Sequence, residues 1–479
     1  MARRDLSNFW LYRYRFLIGY SVIAILLCAL LVFAGLYVPG GLSVFEKEAV
    51  VTSAGIDFSQ PMSLLIVNAP YHMLQAGILE AFGVSDFTIK LPALILGLAS
   101  ALGLIFLLRR WFPTSIAILA SLIAVTTGQF LLIAQSGAGG VLYVFWPVML
   151  LLLGTLITRA KKARLLWKIL FAISAGLSLY TPLSVYTLLA IGITVLLHPH
   201  LRIAVKRLSK LRLAACLATL LILIAPLLWM VIQTPSIGRE LLGLPSGMPD
   251  FIANIQLLAT QYFVLWAPSA TTVLTPVFGF GSLLLIGLGL YRLIRTSDTT
   301  RSYLVISWLI CLLPILIISP QYVTIVFLPA VLLLAAGLTS LIGYWYRLFP
   351  FNPYARIAGL VPIIVLVGVL IGSGIDRYIF GYHYSPTVAT NYTKDLMLLP
   401  EGTTRLVVAA NEKDFYEAIA SFRPSLEIST DVPAEATSFT TTQAARGVVS
   451  DQYSVERIIT SPFKDSADRF YQYSSQTTE

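Results

Sequence analysis

The carboxylates of this chain are unevenly placed, and they mark where chemistry could sit. Glu46, Glu48, Asp57, Glu80 and Asp86 fall in one short stretch, and no Asp or Glu follows until Glu240. Asp250, Asp298 and Asp376 come next. A carboxylate within reach of a hydroxyl can serve as a general base. Glu46-Lys47-Glu48 is the densest group. Residues two apart do not share a helix face, so only one of the two glutamates can point into a common site. The plainer reading is a solvated start to a surface helix. Lys90-Leu91-Pro92 opens an apolar run: its ammonium could contact a phosphate as a point charge or snorkel to the membrane surface. Asn68-Ala69-Pro70-Tyr71-His72 could line the same cavity, with Asn68, Tyr71 and His72 facing a substrate, or it could simply start a helix with Pro70 in its first turn. Gln135-Ser136-Gly137-Ala138-Gly139-Gly140 reads as a tight turn. The histidines (His72, His198, His200, His383) are scattered, the three cysteines lie in apolar runs, and no metal motif is evident.

The elements that must position these residues are set by composition. The chain is 57% hydrophobic and 12% charged, with mean hydropathy +0.82. Soluble proteins carry about 25% charged residues, so lipid must cover this surface. A spanning helix needs about 20 apolar residues. About eleven such runs are found, at 16–38, 88–108, 114–134, 140–158, 165–180, 182–198, 212–233, 271–294, 303–319, 321–345 and 356–376. Tyr180-Thr181-Pro182 reads as the break between two short spans. The first run is too long for a signal-peptide core and is expected to be retained.

The net charge of +10 does not form a nucleic-acid stripe. Basic residues, from Arg3 and Arg4 through Arg109, Arg110, Arg292 and Arg347, fall on one side of the eleven-span arrangement. Only Lys47, Lys90 and Arg239 fall on the other before the tail. The positive-inside rule then predicts a multi-pass plasma-membrane protein with a cytoplasmic N-terminus and an external tail. Residues 1–380 form the membrane domain, with external loops at 39–87 and 234–270. Met62 to Phe82 and Phe251 to Trp266 suit helices lying in the interface. Residues 381–479 read as a small α/β domain, with strands at Arg405–Ala410, Leu426–Thr430, Gly447–Ser450 and Arg457–Thr460 and a helix at Glu412–Phe422. Its end, Ser474 to Glu479, is expected to fray.

The order of these elements resembles a known family. An acidic external loop follows the first span, then an interfacial helix, then Phe82-Gly83-Val84-Ser85-Asp86. Ile89-Lys90-Leu91-Pro92-Ala93 opens the second span and Arg109-Arg110 closes it. This resembles the GT-C superfamily of integral-membrane glycosyltransferases, in its family 39-like branch of protein mannosyltransferases and aminoarabinose transferases. The match is best over residues 43–200. The resemblance implies an all-α GT-C fold, a polyprenyl-phosphate-linked sugar as donor, and transfer to a protein, lipid or cell-envelope glycan outside the cytoplasm. It also implies an acidic base in the first external loop, usually the Asp of an Asp-Glu pair. Here Lys47-Glu48 occupies that pair, with Glu46 one step earlier, so Glu46 and Glu48 are both candidates. The basic and acidic residues of the family's next external loop are replaced by Ser136 to Gly140. No cofactor is evident, although some relatives use a divalent metal.

Two rival readings carry different expectations. An inactive homologue would bind polyprenyl lipid or scaffold envelope assembly without transferring sugar. A transporter of lipid-linked sugars would move substrate without breaking a bond. The long acid-free stretch speaks against ion coupling, because coupled carriers place acids within the bilayer.

Overall fold

The structure, a computed structural model, describes residues 10–37, 41–159, 164–206, 210–264, 273–296, 299–348, 351, 353–382, 384–385, 391–432, 437–460 and 469–475. The apolar runs become helices because only a helix satisfies every backbone group within its own segment in lipid. They are α1 (Trp10–Tyr37), α4 (Asp86–Trp111), α5 (Thr114–Val125), α6 (Gly128–Gln135), α7 (Leu142–Arg159), α8 (Arg164–Ser178), α9 (Ser184–Leu197), α11 (Lys210–Gln233), α14 (Phe280–Arg295), α15 (Thr300–Ile318), α16 (Phe327–Leu348) and α17 (Pro353–Asp376). Shorter helices lie between them: α2 (Val44–Ala54) and α3 (Ala69–Phe82) before α4, α10 (Pro199–Lys206) after α9, and α12 (Pro235–Leu241) and α13 (Phe251–Phe263) before α14. Among the described residues, seven helices are long and apolar enough to cross a membrane, and the α5–α6 pair would make an eighth. The chain is a multi-pass helical membrane protein.

Four of the eleven expected spans take a different form. Helices α8 and α9, of 15 and 14 residues, are shorter than a spanning helix, and two other runs are broken. Residues 114–134 are not one helix, because α5 and α6 meet at an angle of 63°. The hydroxyls of Thr126 and Thr127 donate back to the Leu122 and Ala124 carbonyls at 2.7 Å, and Thr127 caps α6 by accepting from Phe130 N–H at 3.3 Å. Such local side-chain bonds compete with a continuous helix. The run at 271–294 becomes helical only at Phe280, leaving α14 about 24 Å long, short of a hydrocarbon core of about 30 Å. The coil before it is satisfied by protein groups. Gln129, fully buried, accepts from Leu274 N–H at 2.7 Å and donates to Thr324 at 3.2 Å. Arg377 donates to the carbonyls of Thr275 and Pro276. Irregular backbone at this depth is tolerated only when protein supplies such partners.

The tail carries a five-stranded sheet of order β4-β3-β5-β7-β6, where β3 is Arg405–Val407, β4 Glu427–Ser429, β5 Ser438–Thr442, β6 Tyr453–Thr460 and β7 Arg469–Ser475. β3 pairs parallel with β4 and β5, and β7 pairs antiparallel with β5 and β6. Helix α18 (Lys413–Phe422) crosses from β3 to β4. The expected strand at Gly447–Ser450 is not formed: Arg446–Val448 is a 3-10 turn. Strands β5 and β7 carry the sheet centre instead, and Ser474 and Ser475 close β7 rather than fray. Trp266, His383 and Asp298 lie outside the described residues.

The tail is anchored to the first loop. A two-residue β1 (Leu42–Ser43) pairs antiparallel with β2 (Tyr392–Thr393). Leu42, Val50, Leu79 and Ile89 share one apolar cluster with Leu399, Leu406, Phe415 and Tyr416. The sheet therefore sits at the same end of the bundle as α2, α3 and the start of α4.

Candidate functional site

Helix α2 begins with a capping box, and that local motif sets the orientation of Glu46. Ser43 accepts from Glu46 N–H at 3.3 Å, and Glu46 Oε2 accepts from Ser43 N–H at 2.7 Å. Each bond satisfies a backbone donor that a helix start leaves unpaired. The reciprocal bond turns Glu46 inward, where it is fully buried. Its Oε1 accepts from Gly137 N–H at 2.7 Å, in the turn after α6. The fit there is tight, since an added Cβ would sit 3.0 Å from the Ile89 side chain and 3.1 Å from its carbonyl oxygen. Glu48 lies on the exposed face of α2.

Lys90, in the second turn of α4, does not snorkel to the surface but is fully buried. Its Nζ lies 3.9 Å from Glu46 Oε1, donates to Gln135 Oε1 at 3.0 Å, and sits 5.9 Å from the centre of the Tyr392 ring. A fully buried ammonium needs this company, because unpaired burial costs several kcal/mol or about that order. The Tyr392 hydroxyl meets that of Tyr382 at 2.6 Å, and the Tyr382 ring stacks on Tyr378. Burial holds the Tyr392 phenol well above its usual range.

Tyr71 and His72 join the same cluster, whereas Asn68 turns toward Tyr180. Asn68 takes a left-handed conformation (φ 55°) ahead of α3, its N–H donates to Tyr180 O at 2.8 Å, and its buried Oδ1 has no hydrogen-bond partner. Tyr71 is fully buried against Gly139, and burial raises its phenol, with the Glu46 charge adding to the shift. His72 Nδ1 lies 2.8 Å from Ser53 Oγ. The Ser53 hydroxyl donates to Gln75 Oε1 at 2.7 Å, and Gln75 Nε2 donates to the Ile89 and Gly137 carbonyls at 2.9 and 3.1 Å. With its one hydrogen given to Gln75, Ser53 must accept from His72, which places a proton on Nδ1. Burial pushes the His72 imidazole down to about 4.

Glu46, Lys90, Tyr71 and His72 thus come together, whereas Glu48 faces away. Ser53, Gln75, Gln135 and the tyrosine pair Tyr382–Tyr392 complete the cluster without having been candidates. Gln75 left a signal: it stands three residues after His72, on one face of an otherwise apolar helix. The tyrosines left none, since sequence separation hides a contact between residue 90 and residue 392. Asp86 stays with the cluster: burial raises its carboxyl to about 6, the Lys90 charge partly opposes that shift, and its Oδ1 has no hydrogen-bond partner. The other candidate acids lie elsewhere. Asp57 accepts from the Ser59 hydroxyl and N–H at 2.6 and 2.8 Å, bonds that hold its carboxyl below the usual range. Asp250 caps α13 through Ile252 and Ala253 N–H. Glu80 and Glu240 are exposed. Among the described residues no group of three or more His, Cys, Asp or Glu side chains gathers to hold a metal ion. His198 and His200 lie close, with ring centres 5.8 Å apart, but have no such third donor.

No family model matches the chain, and no curated protein does. Solved structures with a similar course include ArnT from Cupriavidus metallidurans in the apo state, with TM-score 0.49 and 12% identity over 95% of this chain and 98% of that one. The same protein bound to undecaprenyl phosphate gives TM-score 0.47 and 15% identity over the same shares. The apo oligosaccharyltransferase of Archaeoglobus fulgidus gives TM-score 0.49 and 12% identity, over 89% of this chain and 66% of that one.

Proposed function

We infer that the chain is a membrane glycosyltransferase of the GT-C type, moving a sugar from a polyprenyl-phosphate carrier to an acceptor outside the cytoplasm. One observation carries the reading: Glu46 and Lys90, the candidate base and the candidate phosphate contact, converge at 3.9 Å in a buried polar cluster at one end of the bundle. In this reading Lys90 neutralises the phosphate that leaves with the lipid, and Glu46 takes the proton from the acceptor hydroxyl. Asn68, Tyr71 and His72 shape the cavity for the sugar. A sugar between the two charges requires them to separate, and the long lysine stem gives that freedom. The membrane domain of residues 1–380 and the tail of 381–479 keep the orientation set by the basic loops, with the cluster and the sheet on the outer side.

A second reading has its own observation. Both Glu46 oxygens accept backbone N–H bonds and the residue is wholly enclosed, as in a residue that braces a lipid-binding fold without catalysis. Transfer from labelled polyprenyl-phosphate sugar, measured with the purified protein in lipid, separates the two. General-base assistance contributes about a hundredfold or more, so Glu46→Gln should lower turnover by at least that factor, while Glu48→Gln leaves it unchanged. Full turnover in Glu46→Gln refutes the base assignment. Wild-type protein that binds the lipid sugar but never transfers it establishes the second reading.

A further inference from the structure

A second polar site lies at the other end of the bundle, about 30 Å from Lys90 along α4. The C-terminal halves of α14 and α16 pack so closely that a Cβ on Gly289 or Gly337 would strike the backbone of the facing helix. Just beyond this contact the helices diverge around a cavity of about 480 Å³, whose walls include Arg292, Arg295, Arg347, Thr296, Thr339 and Ser340. A neighbouring cavity of about 120 Å³ shares Arg292 and Thr296 and adds Arg301 from the start of α15. Three guanidiniums therefore border the larger cavity, and Arg301 borders its neighbour. Among the described residues the ion pairs all involve other side chains. Arg292 donates to Ala336 O at 3.5 Å and Arg347 to Gly343 O at 3.3 Å, Arg295 stacks on Tyr291, and Arg301 donates to Trp111 O at 2.8 Å. These contacts leave most of the guanidinium donors unused.

The plainer account is that arginines in last turns offset helix dipoles. Each helix end amounts to about half a negative charge. The C-termini of α14 and α16 together therefore supply roughly one charge against the three arginines of the larger cavity, and a positive surplus of about two remains. The Ser340 hydroxyl stands beside it as a further donor, while those of Thr296 and Thr339 donate to the Arg292 and Ala335 carbonyls. Guanidinium forks with a neighbouring hydroxyl match the oxygens of a phosphate. We propose that this cavity binds a phosphate group, carried either by an anionic phospholipid headgroup or by a soluble phosphate ester. The site is separate from the Glu46–Lys90 cluster and does not depend on its function.

The full chain is tested in nanodiscs of phosphatidylcholine, alone or with phosphatidylglycerol, and with inorganic phosphate or glycerol 3-phosphate added to the aqueous phase. Loss of even one charge-assisted contact corresponds to about tenfold in affinity. The lipid source predicts that phosphatidylglycerol is retained through purification and that Arg292→Gln/Arg347→Gln retains about tenfold less or lower still. The soluble source predicts a rise in the melting midpoint with phosphate in pure phosphatidylcholine, lost in the same variant. Arg292→Lys/Arg347→Lys, which keeps the charge, should retain part of the effect and guards against a variant that merely fails to fold. Arg405→Gln, at the far end, should behave as wild type. Neither ligand binding, or equal loss with Arg405→Gln, overturns the proposal.

Discussion

At the scale of single residues, the Glu46–Lys90 pair is a liability that the surrounding bonds redeem. Breaking a buried ion pair from one side costs about 3–5 kcal/mol, because the remaining charge stays enclosed. Glu46→Gln and Lys90→Met should each lower the unfolding free energy, and the double variant should cost less than their sum by more than about 1 kcal/mol. A double-mutant cycle in denaturant measures this, and additive losses would mean that the two groups do not interact. His72 gives a pH signature. Its folded pKa, about 4, lies below an unfolded value of about 6.5, so the unfolded chain binds the extra proton first as pH falls. The stability is fully present above about 6.5 and declines by about 1.4 kcal/mol per pH unit down to about 4. His72→Gln should flatten the unfolding midpoint across that window, whereas a slope unchanged by the substitution would place the titration elsewhere.

At the scale of elements, the α14–α16 crossing depends on the absence of side chains. A Cβ at Gly337 would collide with the Leu285 carbonyl and one at Gly289 with the Leu333 carbonyl, so backbone itself would have to move. Gly337→Val should therefore lower the melting temperature in detergent far more than Gly287→Val, where nothing lies within 4 Å; equal effects would contradict the close packing. The helices were legible in the sequence because apolar runs of spanning length have few alternatives in lipid. The break at Thr126–Thr127 was not, since two threonines in an apolar run also suit a straight helix until their hydroxyls turn back on the preceding carbonyls. Strand β5, Ser-Phe-Thr-Thr-Thr, was missed for a related reason. Thr440, Thr441 and Thr442 are buried at the sheet centre, where alternation of apolar and polar residues gives no guide. Of the site, Glu46 and Lys90 were legible as charges beside apolar runs. Their pairing was not, because it is built from a capping box and a glycine turn lying far apart in the chain.

At the scale of the whole molecule, the first loop and the terminal sheet must share one side of the membrane. Lys47 pairs with Asp395 at 2.9 Å and lies 5.0 Å from the centre of the Phe415 ring. Cysteines placed at the exposed positions Glu48 and Glu456 should react with an impermeant reagent from the same face, and a cysteine at Arg347 from the opposite one. In the proposed orientation the first face is external. Labelling of Glu48→Cys and Glu456→Cys from different faces would contradict the fold, and labelling of both from the cytoplasm would end the proposed function. The Lys47–Asp395 bridge also spans 348 residues of chain, and that separation has a consequence for synthesis. At about 5–20 residues per second, a ribosome reaches Asp395 roughly 20–70 s after Lys47. Throughout that interval the nascent protein holds an acid and an amine in the first loop with no cover from the tail. Until the tail arrives, the side of Lys90 that the Tyr392 ring covers stays open.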